Sequence, residues 1–280
     1  MAGARSLPLA AMTTHSNPEP TASGASAAAA TAARIRIVLV GTQHPGNIGS
    51  AARAMKTMGL DRLVLVAPEV APNRESEALA AGADDVLAAA RTCATVAEAV
   101  SDCTLVLGCT ARSRRIALGQ LAPREAASRL VARAGTGGEV ALLFGRERTG
   151  LDNEELQQCH AAVHIPANPD YSSLNLAAAV QVLSYELRLA LLDAGAGAEP
   201  ARVDPPASHA ELEGFFGQLG EVLEQIDFHK GRSPESALRK FRRLFLRADL
   251  DAREVRLLRG VLADVERSVR LAGADGAGQG

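Results

Sequence analysis

The sequence predicts an α/β fold built on a parallel sheet, followed by a small α-helical appendage. Strand, helix and strand succeed one another between Arg34 and Ala67, and a span of about thirty residues is what a βαβ unit needs. Three polar loops rich in glycine or serine each follow a strand-like run, at Gly41 to Arg53, Gly145 to Gly150 and Pro166 to Ser173. Beyond a Gly/Ala/Pro-rich break the pattern changes to three helices with no strand between them.

Taken in order, Met1 to Ala33 is rich in Ala, Ser, Thr and Pro with almost no large apolar side chain, a composition that predicts a disordered leader. Arg34 to Val40 reads as a core strand, Gly41 to Asn47 as a loop, Ile48 to Gly59 as a helix closed by a C-cap glycine, and Arg62 to Ala67 as a second buried strand. Arg74 to Ala81 and Val96 to Ser101 are helical, Thr104 to Gly108 is a strand, and Pro123 opens a helix reaching Ala134. Glu139 to Phe144 is a strand running into Gly145, Asn153 to Cys159 a short helix, and Ala161 to Ile165 a strand ending at Pro166. An Ala/Leu-rich helix from Leu174 to Leu192 completes one α/β domain, residues 34–193. Residues 194–207, with an Asp-Pro-Pro step, have linker composition. Helical patterns at Ser208 to Phe228, Pro234 to Arg247 and Asp251 to Leu271 form the appendage, residues 208–280, with a disordered tail expected from about residue 272.

Composition narrows the function. With 280 residues, 47% of them apolar, the chain can bury a full core, and a formal charge of −2 argues against a wholesale polyanion binder. No apolar run reaches membrane-spanning length and no secretory signal opens the sequence, so a cytoplasmic protein is expected. Cys93, Cys103, Cys109 and Cys159 form no CxxC pair, which predicts reduced thiols, and His160 and His164 lack the further ligands a zinc site requires, so no metal is expected.

The three loops carry the chemistry. Ligands of parallel α/β sheets bind beyond the carboxyl ends of strands, so the loops are expected to meet in one crevice. Gly41 to Ser50 has no Gly-Lys-Ser/Thr and is not a phosphate-loop ATPase; the spacing of Gly46 and Gly49 is wrong for a dinucleotide fingerprint, even with Glu69 about twenty residues on. Asn47 at the helix entrance and Arg53 almost two turns later are expected to face the same side, with Arg53 meeting an anion. Gly145 to Gly150 brackets Glu147 with two arginines. In the third loop Ser172 or Ser173 is either the N-cap of the following helix or a ligand-facing hydroxyl, and the two roles are compatible.

Gly46-Asn47-Ile48-Gly49 with Arg53, then Phe144 to Leu151, then Ile165 to Leu176 with Ser173-Leu174-Asn175, resemble the three ordered motifs of SPOUT-class RNA ribose 2′-O-methyltransferases. The resemblance covers roughly Arg34 to Leu271 and includes Leu238 to Phe245. It implies a parallel-sheet SPOUT domain with a trefoil knot, a homodimer, and S-adenosylmethionine held by Cys109, Thr110, Ala111, Gly145, Ile165, Ser172, Ser173 and Leu174. It implies Arg53, Ser173, Asn47, Glu147 and Asn175 as the catalytic constellation, with Arg53 of one subunit near the cofactor of the other. Because a guanidinium stays charged, its expected part is to clamp a substrate phosphate and stabilise the developing alkoxide. The implied activity is methylation of tRNA at cytidine or uridine 32 of the anticodon loop; the alternatives are another tRNA or rRNA site, or an RNA-binding protein without activity.

Between His229 and Arg259 ten Lys/Arg stand against four Asp/Glu. Arg239, Lys240, Arg242 and Arg243 are either the solvated face of a helix packed through Leu238, Phe241, Leu244 and Phe245 or a phosphate-binding surface. Periodicity leaves both open. With Arg112, Arg114 and Arg115 these cations form the expected tRNA contact.

Overall fold

The computed structural model describes residues 22–111, 118–194, 204–231 and 233–277. Within them seven strands form one sheet in which every pairing is parallel: β1 (Ile35–Val40), β2 (Arg62–Val66), β3 (Arg91–Cys93), β4 (Cys103–Cys109), β5 (Gly119–Leu121), β6 (Glu139–Phe144) and β7 (Ala161–Val163), in the order β3-β2-β1-β6-β4-β7-β5. The central strands β1 and β6 are apolar because both faces are covered, as parallel sheets require. Alternation then sorts their side chains: Ile35, Ile37 and Leu39 enter one core, Val38 and Val40 the other. The first core is closed by α2 (Pro45–Thr57), α6 (Pro123–Gly135) and α8 (Leu176–Asp193). The second lies under α5 (Val96–Val100) and α7 (Asn153–Gln157). Buried Arg36 at the foot of β1 is neutralised by Asp102 and Glu139, the latter at 2.9 Å.

The α/β domain with its helical appendage is as expected, and several boundaries are corrected. The leader is not wholly disordered: Ala22–Ala32 is a helix, α1, packed through Ala32 against α6 and α8. Alanine has the highest helix propensity and needs no large side chain to pack closely, which a reading based on missing bulky residues overlooks. The edge strands β3 and β5 and the helices α3 (Arg74–Ala80) and α4 (Asp84–Ala88) flank the sheet; β3, β5 and α4 are too short for periodicity to reveal.

Helix α8 starts at Leu176, two residues later than expected, and its N-cap is neither serine: the Asn175 side chain accepts from the N–H groups of Ala177 and Ala178. Most of the expected linker lies outside the described residues, but its end is not a linker. Ala207 is buried, its N–H donates to the Leu250 carbonyl, and Pro206 bridges Asp251. The appendage comprises α9 (His209–Gln225), α10 (Pro234–Ala248) and α11 (Ala252–Ala277) around Phe215, Phe216 and Phe245, with α11 running past residue 272 where a disordered tail was expected. It is tied to the sheet domain by Arg133 of α6, whose Nη2 donates to both Asp249 carboxylate oxygens at 2.6 Å.

Candidate active site

The three loops converge beyond the carboxyl ends of β1, β6 and β4/β7, joined by a relay of side chains. Glu147, from the loop after β6, accepts from the backbone N–H groups of Gln43 (3.0 Å) and His44 (3.2 Å) in the loop after β1 and from Asn47 Nδ2 (2.9 Å). Asn47 in turn accepts from Asn175 Nδ2 at 3.0 Å, bringing in the entrance of α8. Burial raises the Glu147 pKa, but the donated hydrogen bonds from Asn47 and the backbone outweigh it and hold the carboxyl below the ordinary range. Glu147 is therefore a committed acceptor and a poor base.

Gly145 makes the fold-back of the second loop possible. A Cβ there would lie 2.0 Å from the Leu151 nitrogen and 2.1 Å from the Gly150 carbonyl carbon, so the loop can fold back on itself only without a side chain. Arg146 is fixed beside it: Nη1 donates to both oxygens of buried Glu155 at 3.0 and 3.1 Å, and its chain lies flat against Gly41, where a Cβ would meet Nε at 2.7 Å.

Between these loops is a cavity of about 220 Å³, lined by every residue assigned above to the cofactor, namely Cys109, Thr110, Ala111, Gly145, Ile165, Ser172, Ser173 and Leu174. Of the expected catalytic residues, Glu147 and Ser173 line it, while Asn47 and Asn175 hold its walls through the relay. Arg53 does not reach the cavity of its own chain. It stands exposed on α2 with no ion-pair or hydrogen-bond partner among the described residues. The expectation that Asn47 and Arg53 share a side is corrected: six residues are about 600° of helical rotation, which leaves them roughly 120° apart.

Phe144, Arg146, Arg148, Thr149, Leu176 and Ala179 also line the cavity, beyond the residues the resemblance implies for cofactor and catalysis. The first four sit in or beside the recognised second loop, so proximity in sequence was the available signal; Leu176 and Ala179 are apolar helix residues with none. Burial pushes the Cys103 and Cys159 thiols up to about 12, which removes both as nucleophiles at neutral pH.

Of the expected RNA contacts, Arg112, Arg114 and Arg115 lie outside the described residues. Arg239, Lys240 and Arg243 are exposed on α10. Arg242 is a correction: its side chain turns inward, Nη1 donating to Glu213 at 3.0 Å, with the guanidinium 4.5 Å from the Phe216 ring centroid. Burial lowers its pKa, and the attraction of Glu213 and the hydrogen bond to it offset that only in part. Leu244, expected in the packed face, is instead exposed.

Residues 34–185 match the SpoU rRNA Methylase family, and the chain belongs to it. Residues 210–274 match a second family, the C-terminal domain of the tRNA methyltransferase TrmJ. The particular relatives carry the same name. The Yersinia enterocolitica tRNA (cytidine/uridine-2′-O-)-methyltransferase TrmJ is 49% identical over 247 residues, covering 86% of this chain and 96% of that protein. The Pseudomonas aeruginosa tRNA (cytidine/uridine/adenosine-2′-O-)-methyltransferase TrmJ is 47% identical, covering 85% and 95%. The crystal structure of TrmJ from Z. mobilis ZM4 superposes with a TM-score of 0.72 at 37% identity, covering 82% of this chain and 98% of that one.

Proposed function

We propose that the chain transfers a methyl group from S-adenosylmethionine to a ribose 2′-hydroxyl of tRNA, at position 32 of the anticodon loop, acting as a cytoplasmic homodimer. The observation that carries this reading is the convergence of three loops on one backbone-rich cavity at the carboxyl ends of a parallel sheet. The cavity suits the cofactor chemically. Ile165, Leu174 and Phe144 offer apolar surface, Ser172 and Ser173 offer hydroxyls, and the side-chain-free Gly145 lets main chain approach a flat ligand. The trefoil knot of the family belongs to this reading, supported by the common lining of the Cys109, Gly145 and Ser172 segments.

Bound there, S-adenosylmethionine supplies the activated methyl group, and the protein's work is positioning. The Asn175–Asn47–Glu147 relay holds the loop walls, and Ser173 orients the ribose or the cofactor. Arg53, exposed and unpaired among the described residues, serves the neighbouring subunit's site, where it clamps the substrate phosphate and stabilises the developing alkoxide. The hydroxyl proton leaves to that phosphate or to water.

The test is transfer of labelled methyl to unmodified tRNA followed by mass mapping of the modified nucleotide. Transfer to a 2′-oxygen is the expected result, and mapping distinguishes the cytidine/uridine range of one relative from the adenosine-inclusive range of the other. Tight binding of tRNA and cofactor without transfer would overturn the reading in favour of a binding protein. Arg53→Lys is expected to reduce turnover while sparing cofactor affinity; near-normal turnover would remove the planar, bidentate part given to Arg53.

A further inference from the structure

A second and larger cavity, about 1240 Å³, opens between the β5 edge of the sheet, α6 and α10. Its floor is apolar, from Leu107, Leu121 and Ala161, and its walls carry Arg129 and Arg133 from α6 and Arg243 and Arg247 from α10. Only Glu125 and Asp249 oppose these four cations in the lining, on a chain whose formal charge is −2. The cleft is built into the fold, because the Arg133–Asp249 pair fixes the end of α10 against α6.

The arginines divide by what they already hold. Arg133 is committed to Asp249, and Arg129 pairs with Glu125 on the surface at 2.8 Å. Arg243 and Arg247 are exposed and have no ion-pair or hydrogen-bond partner among the described residues. With Arg239 they recur every four residues, so the three form a stripe about 12 Å long on one side of α10. We propose that this cleft carries the sugar–phosphate backbone of the RNA substrate, with Arg243 and Arg247 as direct phosphate contacts and Arg129 opposite them. The inference rests on the RNA reading above and extends it from α10 to the sheet domain.

Three features favour RNA over other occupants. The volume exceeds the roughly 300–1,000 Å³ of ordinary small-molecule sites. No described lining residue is Phe, Tyr or Trp, so the aromatic anchors that dominate protein–protein contacts are missing, while unpaired guanidiniums suit phosphates. The cleft also adjoins the proposed cofactor cavity. On β4 the lining passes from Leu107 in the cleft to Cys109 in the cavity, side chains on one sheet face about 7 Å apart along the strand.

The test is tRNA affinity of the full chain, read by fluorescence anisotropy between about 50 and 200 mM salt. For the Arg243→Ala/Arg247→Ala double variant the slope of log affinity against log salt should flatten by about 1.4–1.8, at roughly 0.7–0.9 per lost phosphate contact. Affinity at low salt should fall at least about tenfold, as two lost charge-assisted contacts imply. The Arg253→Ala/Arg256→Ala double variant on α11, which removes equal charge outside the cleft, should move neither quantity, and cofactor affinity of the Arg243→Ala/Arg247→Ala variant should match the wild type. An Arg243→Ala/Arg247→Ala variant with wild-type affinity and slope would overturn the assignment and leave the cleft to a protein partner. Wild-type protein that binds tRNA through these residues but transfers no methyl would sink the catalytic reading and leave this one standing.

Discussion

The three-loop crevice and the C-terminal helices are held together by different rules, and glycine and arginine expose the difference. In the crevice, loops approach until main chain touches main chain, so each residue is fixed by its own contacts: Gly145 by the Leu151 backbone, Glu147 by three donors, Arg146 by Glu155. In the appendage, helices meet through faces, and a residue's part depends on the side it occupies. Arg242 and Arg243 are neighbours in sequence, yet about 100° of helical rotation puts one against Phe216 and leaves the other in solvent. A substitution in the crevice should therefore act through one specific contact, and one in the appendage through the face it disturbs.

The largest effect should come from Gly145→Ala. With backbone atoms at 2.0 and 2.1 Å from the new Cβ, nothing flexible can yield, and the fold of the second loop back on itself must open. Destabilisation of about 3 kcal/mol or more is expected in urea melts, with loss of cofactor binding in calorimetry. Retention of both would mean that the second loop folds back less tightly than the geometry states. Next is Glu147→Ala, which leaves Asn47 Nδ2 and the N–H groups of Gln43 and His44 without their acceptor. A loss of about 2–3 kcal/mol is expected, with partial recovery in Glu147→Gln, which keeps an acceptor oxygen.

Acid should act first on the junction between the two regions. Burial holds His160 and His209 down to about 4, His209 being depressed further by His160 and by Arg242. Both are neutral in the fold, and the unfolded chain takes up their protons nearer the ordinary histidine value. Their contribution is complete above about pH 6.5, is lost as pH falls toward about 4, and changes little below that. Roughly 2 kcal/mol over that window is expected from urea midpoints, allowing for coupling between the two rings. A flat profile in a His160→Gln/His209→Gln variant would confirm their origin, and an unchanged slope would place it elsewhere. Arg242→Ala should then cost about 1–2 kcal/mol by stranding half-exposed Glu213 and removing the ring contact, against no more than about 0.5 for Arg243→Ala.

The same contrast explains what the sequence made legible. The parallel sheet was readable because β1, β2 and β6 are long apolar runs, and the three loops because glycine and asparagine punctuate them. The cap of α8 is not legible because Ser172, Ser173 and Asn175 all suit an N-cap, and what ties Asn175 in place is its hydrogen bond to Asn47 in the first loop. The inward turn of Arg242 was hidden for a related reason: its partner Glu213 is 29 residues away on another helix, and periodicity within α10 does not reveal it. Counting turns alone puts Arg53 on the side of Asn47, whereas rotation about the helix sets the two apart.

The smallest effect should carry the opposite sign. Gly260 lies inside α11, and an added Cβ would meet nothing within 4 Å, in contrast to the closed surroundings of Gly145. Its φ is not positive, so alanine fits the existing backbone without strain. Gly260→Ala should stabilise the chain by about 0.5–1 kcal/mol, chiefly by narrowing the unfolded ensemble. A small rise in urea midpoint with unchanged slope is the expected reading. Because the appendage packs by faces and Gly260 occupies a solvent-facing position, tRNA affinity should stay constant. A loss of stability would mean that this side of α11 is covered in the assembled protein, and that the appendage, like the crevice, is fixed residue by residue.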